Sequence, residues 1–429
     1  MTEKSKLSTE NYKGVRDFYP EDMFVQNYIF GVWKQVAEQF GYTQYDASVL
    51  EPAELYRAKS GEEIVNEQTY TFTDRGDREV TLRPEMTPTV ARMVAAKIQD
   101  LSLPLRWYSI PNLFRYEKPQ RGRLREHWQL NVDLFGVEGS EADTEIISIA
   151  YTILKTFGAQ DTDFEIRINS RKIMNDLYSH FKLNEEQIHK LSKIIDKKAK
   201  ISDEVFESSV TEIIGGIASD FIWTLKANER IFDVIGRDNP HGTEVIELIE
   251  KLATVGINNV VFDPTLMRGF DYYTGVVFEV FDTHPDNNRS VFGGGRYDDL
   301  LDIFGAKKVP TIGFGAGDVT ARDFLEVHNL LPVYKPSAQL YIGVLGTEYI
   351  DHARILANKL RSQNLNVAID LSNKKVGDQI KTAHKQSRPY VLVVGENEVK
   401  ENKYTVKQME SGDEKKLSAD EIVSYIRNR

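Results

Sequence analysis

A basic hairpin is predicted by the run FRYEKPQRGRLREHWQ, residues 114–129. Arg121 and Gly122 indicate its turn. Beyond the turn, Arg123 and every second residue as far as Gln129 share one face of a returning strand, because strand side chains alternate. Guanidinium groups on rigid strands can grip a polyanion and neutralise charge that develops during phosphoryl or nucleotidyl transfer. A solvated edge hairpin accounts for the same charges, so the cations alone leave both interpretations open.

Further strand-like runs surround the hairpin, and short polar turns rather than helices join most of them. This pattern favours a mixed, mostly antiparallel sheet over a Rossmann sheet. Ahead of the sheet, an apolar residue at every fourth position from Phe24 to Phe40 predicts an amphipathic helix. The predicted strands cover residues 69–73, 79–82, 106–110, 129–136, 164–168, 260–261, 275–281 and 311–315.

Four segments are predicted along the chain. Residues 1–171 begin an α+β core, and residues 172–257 are rich in Lys and Glu at helical spacing, as an inserted α-helical module would be. The sheet pattern resumes in residues 258–331, where three consecutive glycines, residues 293–295, would permit a tight hairpin turn. After a boundary marked by prolines, residues 337–429 alternate as βαβαβ, which is typical of a small α/β domain.

The composition excludes several classes of protein. With 429 residues the chain exceeds one ordinary core, so two or three domains are expected. It has no cysteine, and its eight histidines lack paired metal-ligand spacing, so we expect no structural metal. A net charge of −11 argues against non-specific coating of nucleic acid. No apolar run reaches the roughly 18 residues of a membrane span, and the first residues are polar, which predicts a cytoplasmic location.

Five motifs occur together: KGVRDFYP (residues 13–20), TLRPEMT (81–87), the basic hairpin, RGFDYYTGVVFE (268–279) and GGGRYD (293–298). In this order the chain resembles the histidyl-tRNA synthetases, a family of class II aminoacyl-tRNA synthetases, essentially from end to end. The resemblance implies a class II catalytic domain with a mixed, mostly antiparallel sheet, a helical insertion and a C-terminal α/β anticodon-binding domain. It also implies ATP-dependent ligation of L-histidine to its tRNA through a histidyl-adenylate.

The resemblance assigns the reaction centre to two arginines. Arg115 matches the arginine of motif 2 on the α-phosphate of ATP, and Arg268 matches a family arginine that reaches the α-phosphate and the histidine carboxylate from the other side. Glu117 would contact the adenine amino group, and Arg123 would hold the β- and γ-phosphates. Mg²⁺ would bridge the phosphates.

Recognition of the amino acid and of the tRNA is implied in the same way. Glu85 and Thr87 match the residues that receive the α-ammonium group. Arg115 and Arg268 would also bind histidine, and in the loop of the hairpin Lys118 and Gln120 would meet the acceptor end of the tRNA. The family's imidazole pocket matches Gln129, Asp133, Tyr272 and Tyr273.

Two motifs depart from the family pattern. Motif 3 places an arginine seven residues after its first glycine, but seven residues after Gly313 stands Thr320. Either Arg322, two positions later, serves the triphosphate instead, or the triphosphate depends more on Arg123 and the metal. Motif 1 has Ser48 where a proline is usual, but its helix and strand are present, so we expect a homodimer.

Two other functions remain open. The chain could be a histidine-binding regulatory paralogue of histidine biosynthesis, although such paralogues lack the anticodon-binding domain and the arginine pair. A plain RNA-binding protein would leave the polar histidine pocket unexplained.

The C-terminal domain has a basic patch suited to phosphate contacts, formed by Lys374, Lys375, Lys381, Lys385 and Arg388 against the single acid Asp378.

Overall fold

The chain folds as two units, Met1–Pro332 and Val333–Arg429. The computed structural model describes residues 7–57, 68–198, 201–267, 272–287 and 289–428. No helix in these ranges is long and apolar enough to cross a membrane. The four segment boundaries proposed from the sequence stay predictions, because a division into two units does not test the subdivision of the first.

Twelve strands are described in the first unit. They are β1 Thr43–Gln44, β2 Leu50–Pro52, β3 Tyr70–Thr73, β4 Glu79–Leu82, β5 Leu105–Ser109, β6 Asn112–Phe114, β7 Glu126–Phe135, β8 Phe164–Ser170, β9 Val260–Phe262, β10 Val276–Asp282, β11 Ser290–Arg296 and β12 Thr311–Gly317. Nine of them form the main sheet in the order β1-β5-β7-β12-β11-β10-β8-β9, with β6 also paired to β7. The pairs β1–β5 and β8–β9 are parallel and the others antiparallel, so the predicted mixed, mostly antiparallel sheet is confirmed. Strands β2, β4 and β3 form a separate small sheet.

Helices cover the main sheet with their apolar faces. The periodicity from Phe24 to Phe40 corresponds to a helix that buries Ile29, Trp33 and Val36 in the core. Outside the segment between β8 and β9, the described helices of the first unit are α1 Pro20–Gln39, α2 Ala53–Arg57, α3 Thr87–Lys97, α4 Ser140–Phe157 and, after β12, α11 Asp318–Val327. Helices α1 and α4 pack on each other, and α1 also meets α11.

The regular elements described between β8 and β9 are all helices. Its helices are α5 Arg171–His180, α6 Glu185–Asp196, α7 Asp203–Ile214, α8 Ala218–Lys226, α9 Arg230–Ile235 and α10 Pro240–Thr254. Their buried side chains, such as Phe206, Phe221 and Leu248, belong to the same continuous core as Ile166 of β8. The sequence of this segment shows no convincing strand pattern, and the elements described there are helices, as expected for a helical insertion.

The three consecutive glycines lie in a strand, not in the expected turn. Gly293–Gly295 belong to β11 and pair with β10 on one side and β12 on the other. The reason they are glycines is close packing: a Cβ on Gly294 would stand 1.9 Å from the carbonyl oxygen of Gly313. The interpretation as a turn was wrong because glycine also marks places where two backbones approach closely.

The second unit is an α/β domain with its own core. Its elements are β13 Leu340–Val344, α12 Ile350–Ser362, β14 Val367–Ile369, α13 Val376–Lys385, β15 Tyr390–Val394, α14 Glu396–Glu401, β16 Tyr404–Gln408, β17 Glu414–Leu417 and α15 Ala419–Arg427. The sheet order is β14-β13-β15-β16-β17, in which the first three strands are parallel and the last two antiparallel. The predicted βαβαβ run is confirmed, and a β-hairpin and two helices follow it.

Gly294→Ala is expected to destabilise the first unit by about 2 kcal/mol or more, because the new methyl group would overlap the backbone of β12. Gly31→Ala is the matched control. It lies in α1 with no atom within 4 Å of a new Cβ, so it should stabilise the chain by about 0.5–1 kcal/mol. All four tryptophans precede residue 333, so urea unfolding followed by tryptophan fluorescence reports on the first unit alone. Similar effects of both substitutions would contradict the close approach of β11 and β12.

Candidate active site

A polar pocket opens on the face of the main sheet where β7, β11 and β12 meet. Strand β7 supplies Gln129, Asn131 and Asp133, which share one face because they are two residues apart. The pocket is lined by Glu85, Thr87, Arg115, Gln129, Asn131, Asp133, Tyr272, Tyr273, Gly293, Tyr297, Gly313, Phe314 and Gly315. It therefore brings together seven of the residues that the sequence assigned to the site.

Asp133 is the buried acid of the pocket, with 3% of its surface exposed. Its Oδ1 accepts a hydrogen bond from the hydroxyl of Tyr297. Its Oδ2 is buried and has no hydrogen-bond partner among the described residues. Burial raises the pKa of Asp133 to about 7; the Tyr297 hydroxyl, and the nearby Tyr45 hydroxyl, which does not reach hydrogen-bond geometry, act in the opposite direction. A ligand with an N–H group could satisfy the remaining oxygen.

Glycines of β12 make room for these polar side chains. Gly313 pairs with Asp133, and a Cβ at this position would stand 2.6 Å from Asp133 Oδ1 and 2.4 Å from the Tyr297 hydroxyl. A Cβ on Gly315 would stand 2.2 Å from Gln129 Nε2. Side chains on this face of β12 would occupy the space that the pocket uses.

Tyrosines and an acid close the pocket on the other sides. Glu85 is buried and follows β4, and its Oε2 accepts a hydrogen bond from the hydroxyl of Tyr272 at 3.3 Å. The ring centroid of Tyr272 lies 4.9 Å from that of Tyr273 and 5.7 Å from that of Tyr297. Thr87, also on the pocket wall, is the first residue of α3. The arrangement is polar at its ends and aromatic between them, which suits a small planar polar group.

The basic hairpin supplies one cation to the pocket directly. Arg115 follows β6, and its Nε donates to the carbonyl oxygen of Pro84 at 2.8 Å, which fixes the direction of the guanidinium group. Glu117 lies 3.9 Å from Arg115 Nη1 and 3.7 Å from Arg123 Nη1. Glu117 and Arg123 lie on the hairpin beyond the pocket lining. The Arg123 side chain is 55% exposed.

The remaining basic residues of the hairpin do not form a row. Arg125 turns away to the N-terminal segment, where its Nη1 donates to the Tyr12 hydroxyl at 2.9 Å and its guanidinium lies 4.0 Å from the Tyr116 ring centroid. Desolvation, together with the charges of Arg115 and Arg16, lowers the pKa of His127 to about 3. At neutral pH the His127 ring is therefore uncharged, and it adds nothing to the positive field.

Other residues assigned to the site from the sequence do not line this pocket or are not described. Lys118 and Gln120 are exposed in the hairpin loop. Arg322 points from α11 to helix α1, where its Nη2 donates to Asp22 Oδ1 at 2.9 Å, and it is not among the pocket residues. Arg268 lies outside the described residues, so its assignment stays a prediction.

Two polar side chains of the pocket, those of Asn131 and Tyr297, were not assigned to the site from the sequence. Asn131 could have been found, because it lies between Gln129 and Asp133 on the same strand face. Tyr297 follows the glycine run, which was interpreted as a structural turn, so its hydroxyl was not considered. Its contact with Asp133 joins positions 164 residues apart and leaves no local signal in the sequence.

Together, the mostly antiparallel sheet, the arginine-bearing hairpin and the polar pocket at its base define a class II aminoacyl-tRNA synthetase. Residues 14–318 match the family model described as histidyl-tRNA synthetase, and residues 339–429 match the model of an anticodon binding domain. The chain belongs to the histidyl-tRNA synthetase family.

Individual relatives agree with this assignment. The chain is 44% identical to a histidine–tRNA ligase of Leptospira biflexa serovar Patoc, over 99% of this chain and 98% of the relative. The fold is similar to the crystal structure of histidyl-tRNA synthetase from Nostoc sp. PCC 7120, with a TM-score of 0.78 and 23% identity over 98% of this chain and all of that one. It is also similar to an ATP phosphoribosyltransferase regulatory subunit/histidyl-tRNA synthetase from Bacillus halodurans, with a TM-score of 0.74 and 26% identity over 88% and 97% of the chains.

Asp133→Asn should make the folded chain more stable at pH 8 and leave its stability nearly unchanged near pH 4. In the folded chain the carboxyl holds its proton to about pH 7, but its ordinary pKa is 3.8. Folding therefore opposes ionisation, and the cost grows as the pH rises from about 4 to 7 and is complete above that, on the order of a few kcal/mol. An amide has no such cost.

Urea unfolding at pH 4, 6 and 8, followed by tryptophan fluorescence, measures the difference. Burial also raises the pKa of Asp143, to about 6, but this group titrates in both proteins and cancels in the comparison. A variant that is less stable than the parent at pH 8 would show that the pocket stabilises the ionised carboxylate.

Proposed function

We propose that this chain joins L-histidine to its tRNA in two steps, with ATP and a histidyl-adenylate intermediate. The observation that supports this most directly is the pocket in which a buried carboxylate, Asp133, has one oxygen without a partner among the described residues, while Arg115 lies on the same wall. The first feature suits an imidazole N–H, and the second suits the reacting phosphate.

In the first step an oxygen of the histidine carboxylate attacks the α-phosphorus of ATP, and pyrophosphate leaves as the α–β bridging bond breaks. No general base is needed, because the carboxylate is already ionised at neutral pH. The chain's task is to align two anions and to stabilise the pentacovalent phosphorus. Arg115, held by the Pro84 carbonyl, acts from one side, and Arg268 acts from the other.

The nucleotide extends from the pocket along the hairpin. Glu117 accepts from the adenine amino group, and Arg123 holds the β- and γ-phosphates. No group of three or more His, Cys, Asp or Glu side chains that could hold a metal is found among the described residues. In this proposal Mg²⁺ would enter with the nucleotide as part of the substrate and would neutralise charge on its phosphates.

Histidine is recognised through hydrogen bonds at both ends. Glu85 and Thr87 receive the α-ammonium group. Asp133 and Gln129 bind the imidazole, and the rings of Tyr272 and Tyr273 enclose it. An apolar amino acid would leave the Asp133 carboxyl without a partner, and sites of this kind reject such analogues by roughly 10⁴ to 10⁵.

In the second step a ribose hydroxyl at the 3′ end of the tRNA attacks the carbonyl carbon of the adenylate, and AMP leaves. Lys118 and Gln120, exposed in the hairpin loop, meet the acceptor end. The second unit binds the anticodon through a cleft along α13. That cleft is lined by Lys374, Asp378, Lys381, Thr382, His384 and Lys385, so cations outnumber the single acid.

The proposed enzyme is a cytoplasmic homodimer. The small sheet supports a second copy as the partner, because Leu50 and Phe72 expose 46% and 47% of their surface there. A regulatory paralogue remains the second candidate, since one similar structure is that of an ATP phosphoribosyltransferase regulatory subunit/histidyl-tRNA synthetase. The anticodon-binding match over residues 339–429 favours the synthetase.

The proposal predicts histidine-dependent ATP–pyrophosphate exchange by the full chain. Asp133→Asn should raise the KM for histidine about tenfold or more, since its amide would present an N–H where the imidazole N–H needs an acceptor. Because this variant is expected to be at least as stable as the parent, unfolding would not explain the loss. A folded parent chain that binds histidine without any exchange would support the regulatory paralogue.

Removal of residues 333–429 should leave exchange within about twofold and lower the rate of tRNA charging about a hundredfold or more, because adenylation needs only the first unit. Aminoacylation of histidine tRNA with labelled histidine measures the charging. The charge reversal Lys381→Glu in the full chain is a milder form of the test. Unchanged charging in both variants would refute an anticodon role for the second unit.

A further inference from the structure

An arginine outside the recognised motifs lies against the turn of the basic hairpin. Arg289 immediately precedes β11, and its Nη1 donates to the carbonyl oxygen of Arg121 at 2.6 Å. A Cβ on Gly122 would stand 2.4 Å from this nitrogen, so the guanidinium group occupies the space that glycine leaves free. The contact joins positions 168 residues apart in the sequence.

The same place lies beside the start of helix α11. If Gly122 carried a Cβ, that atom would lie 3.6 Å from Cγ2 of Thr320 and 3.6 Å from the guanidinium carbon of Arg289. Thr320 itself cannot bind an anion through charge, and its Oγ1 donates to the backbone, 2.6 Å from the carbonyl oxygen of Val291. Arg322 is held by Asp22 on helix α1. Arg289 is thus a cation that the fold adds, beside Arg121 of the turn itself, where the hairpin turn meets α11.

The guanidinium group of Arg289 retains capacity for an anion. It has five N–H donors, and the contact with Arg121 uses one of them. Within the described part of the chain no carboxylate reaches ion-pair distance of Arg289. Asp323 is an acid whose pKa the charge of Arg289 affects, and its Oδ2 lies 3.9 Å from Arg121 Nε. Burial raises the pKa of Asp323, and the charges of Arg121 and Arg289 oppose this effect.

Three arginines cluster around the turn. Arg121, Arg123 and Arg289 lie at or beside it, and the acids of the same area are Glu117, Asp323, Glu326 and Asp286, whose carbonyl oxygen accepts from Arg121. Glu117 is already shared between Arg115 and Arg123. A ligand that enters the pocket at Arg115 and extends along the hairpin would therefore meet these three arginines at the turn. A triphosphate has this shape and charge.

We propose that Arg289 binds the β- and γ-phosphates of ATP together with Arg123. From its position just before β11, Arg289 would take the role of the motif 3 arginine, which is replaced in this chain by Thr320 of helix α11. The inference rests on the proposed adenylation, and it concerns the triphosphate only. The proposal also explains why residue 122 is a glycine, since any side chain there would displace the guanidinium group of Arg289.

Isothermal titration calorimetry of the full chain with ATP and with AMP tests the proposal. Arg289→Ala should weaken ATP binding about tenfold and leave the Kd of AMP within about twofold, because AMP lacks the two phosphates. Arg289→Lys should retain part of the preference for ATP, since it keeps the charge but not the planar fork. Arg354→Ala is the matched control: this exposed arginine of the second unit pairs with Asp351 and should change neither affinity.

Transfer of the arginine gives a second measurement. Adding Thr320→Arg to Arg289→Ala should restore most of the lost ATP affinity, because the two side chains approach the same place. Equal weakening of ATP and AMP by Arg289→Ala would show that Arg289 only supports the hairpin, and would overturn the proposal. Loss of the ATP preference in Arg322→Ala but not in Arg289→Ala would overturn it too. Absence of exchange in a parent chain that still prefers ATP to AMP would refute the adenylation and leave the Arg289 site standing.

Discussion

The pairing of Asp133 with Gly313 is the constraint on which the active site depends. A carboxyl group can lie in the middle of a nine-stranded sheet only if the neighbouring strand leaves space for it, and Gly313 provides this space by having no side chain. Gly315 does the same for Gln129. The pocket is consequently a gap in the side-chain layer above β12. Its polar wall comes from β7 and its aromatic wall from Tyr272, Tyr273 and Tyr297.

A second buried acid holds the elements that carry this pocket. Asp318 begins α11 and is fully buried, and it accepts hydrogen bonds from Arg16, from Gln26 and from the backbone N–H of Trp128. One carboxylate thus joins the N-terminal segment, helix α1, strand β7 and helix α11. Removal of one partner from such a buried ion pair typically costs about 3–5 kcal/mol. The KGVRDFYP motif is explained in part by this structural role of Arg16.

The basic hairpin divides its charges among separate tasks. Arg115 reaches the pocket, Arg125 binds the tyrosines of the N-terminal segment, and the Nη1 of Arg121 donates to the carbonyl of Asp286 at 3.0 Å. Alternation along the strand had placed Arg125 with Gln129 on one binding face. Strand β7 begins only at Glu126, so the side chains before it are not bound by that alternation. Tertiary contacts with Tyr12 and Tyr116 direct Arg125 instead.

Local patterns in the sequence determined much of the secondary structure and two residues of the pocket, and the resemblance to the family supplied five more. The periodicity of α1, the βαβαβ run after residue 337 and the shared face of Gln129 and Asp133 depend on residues within a few positions of one another, so they can be recognised without the fold. Tertiary structure alone decided that the three glycines pair inside β11, that Tyr297 donates to Asp133, and that Arg289 lies at the hairpin turn. These contacts join residues that are more than a hundred positions apart or belong to different strands. Their geometry depends on the register of the whole sheet, and no short segment of sequence contains that information.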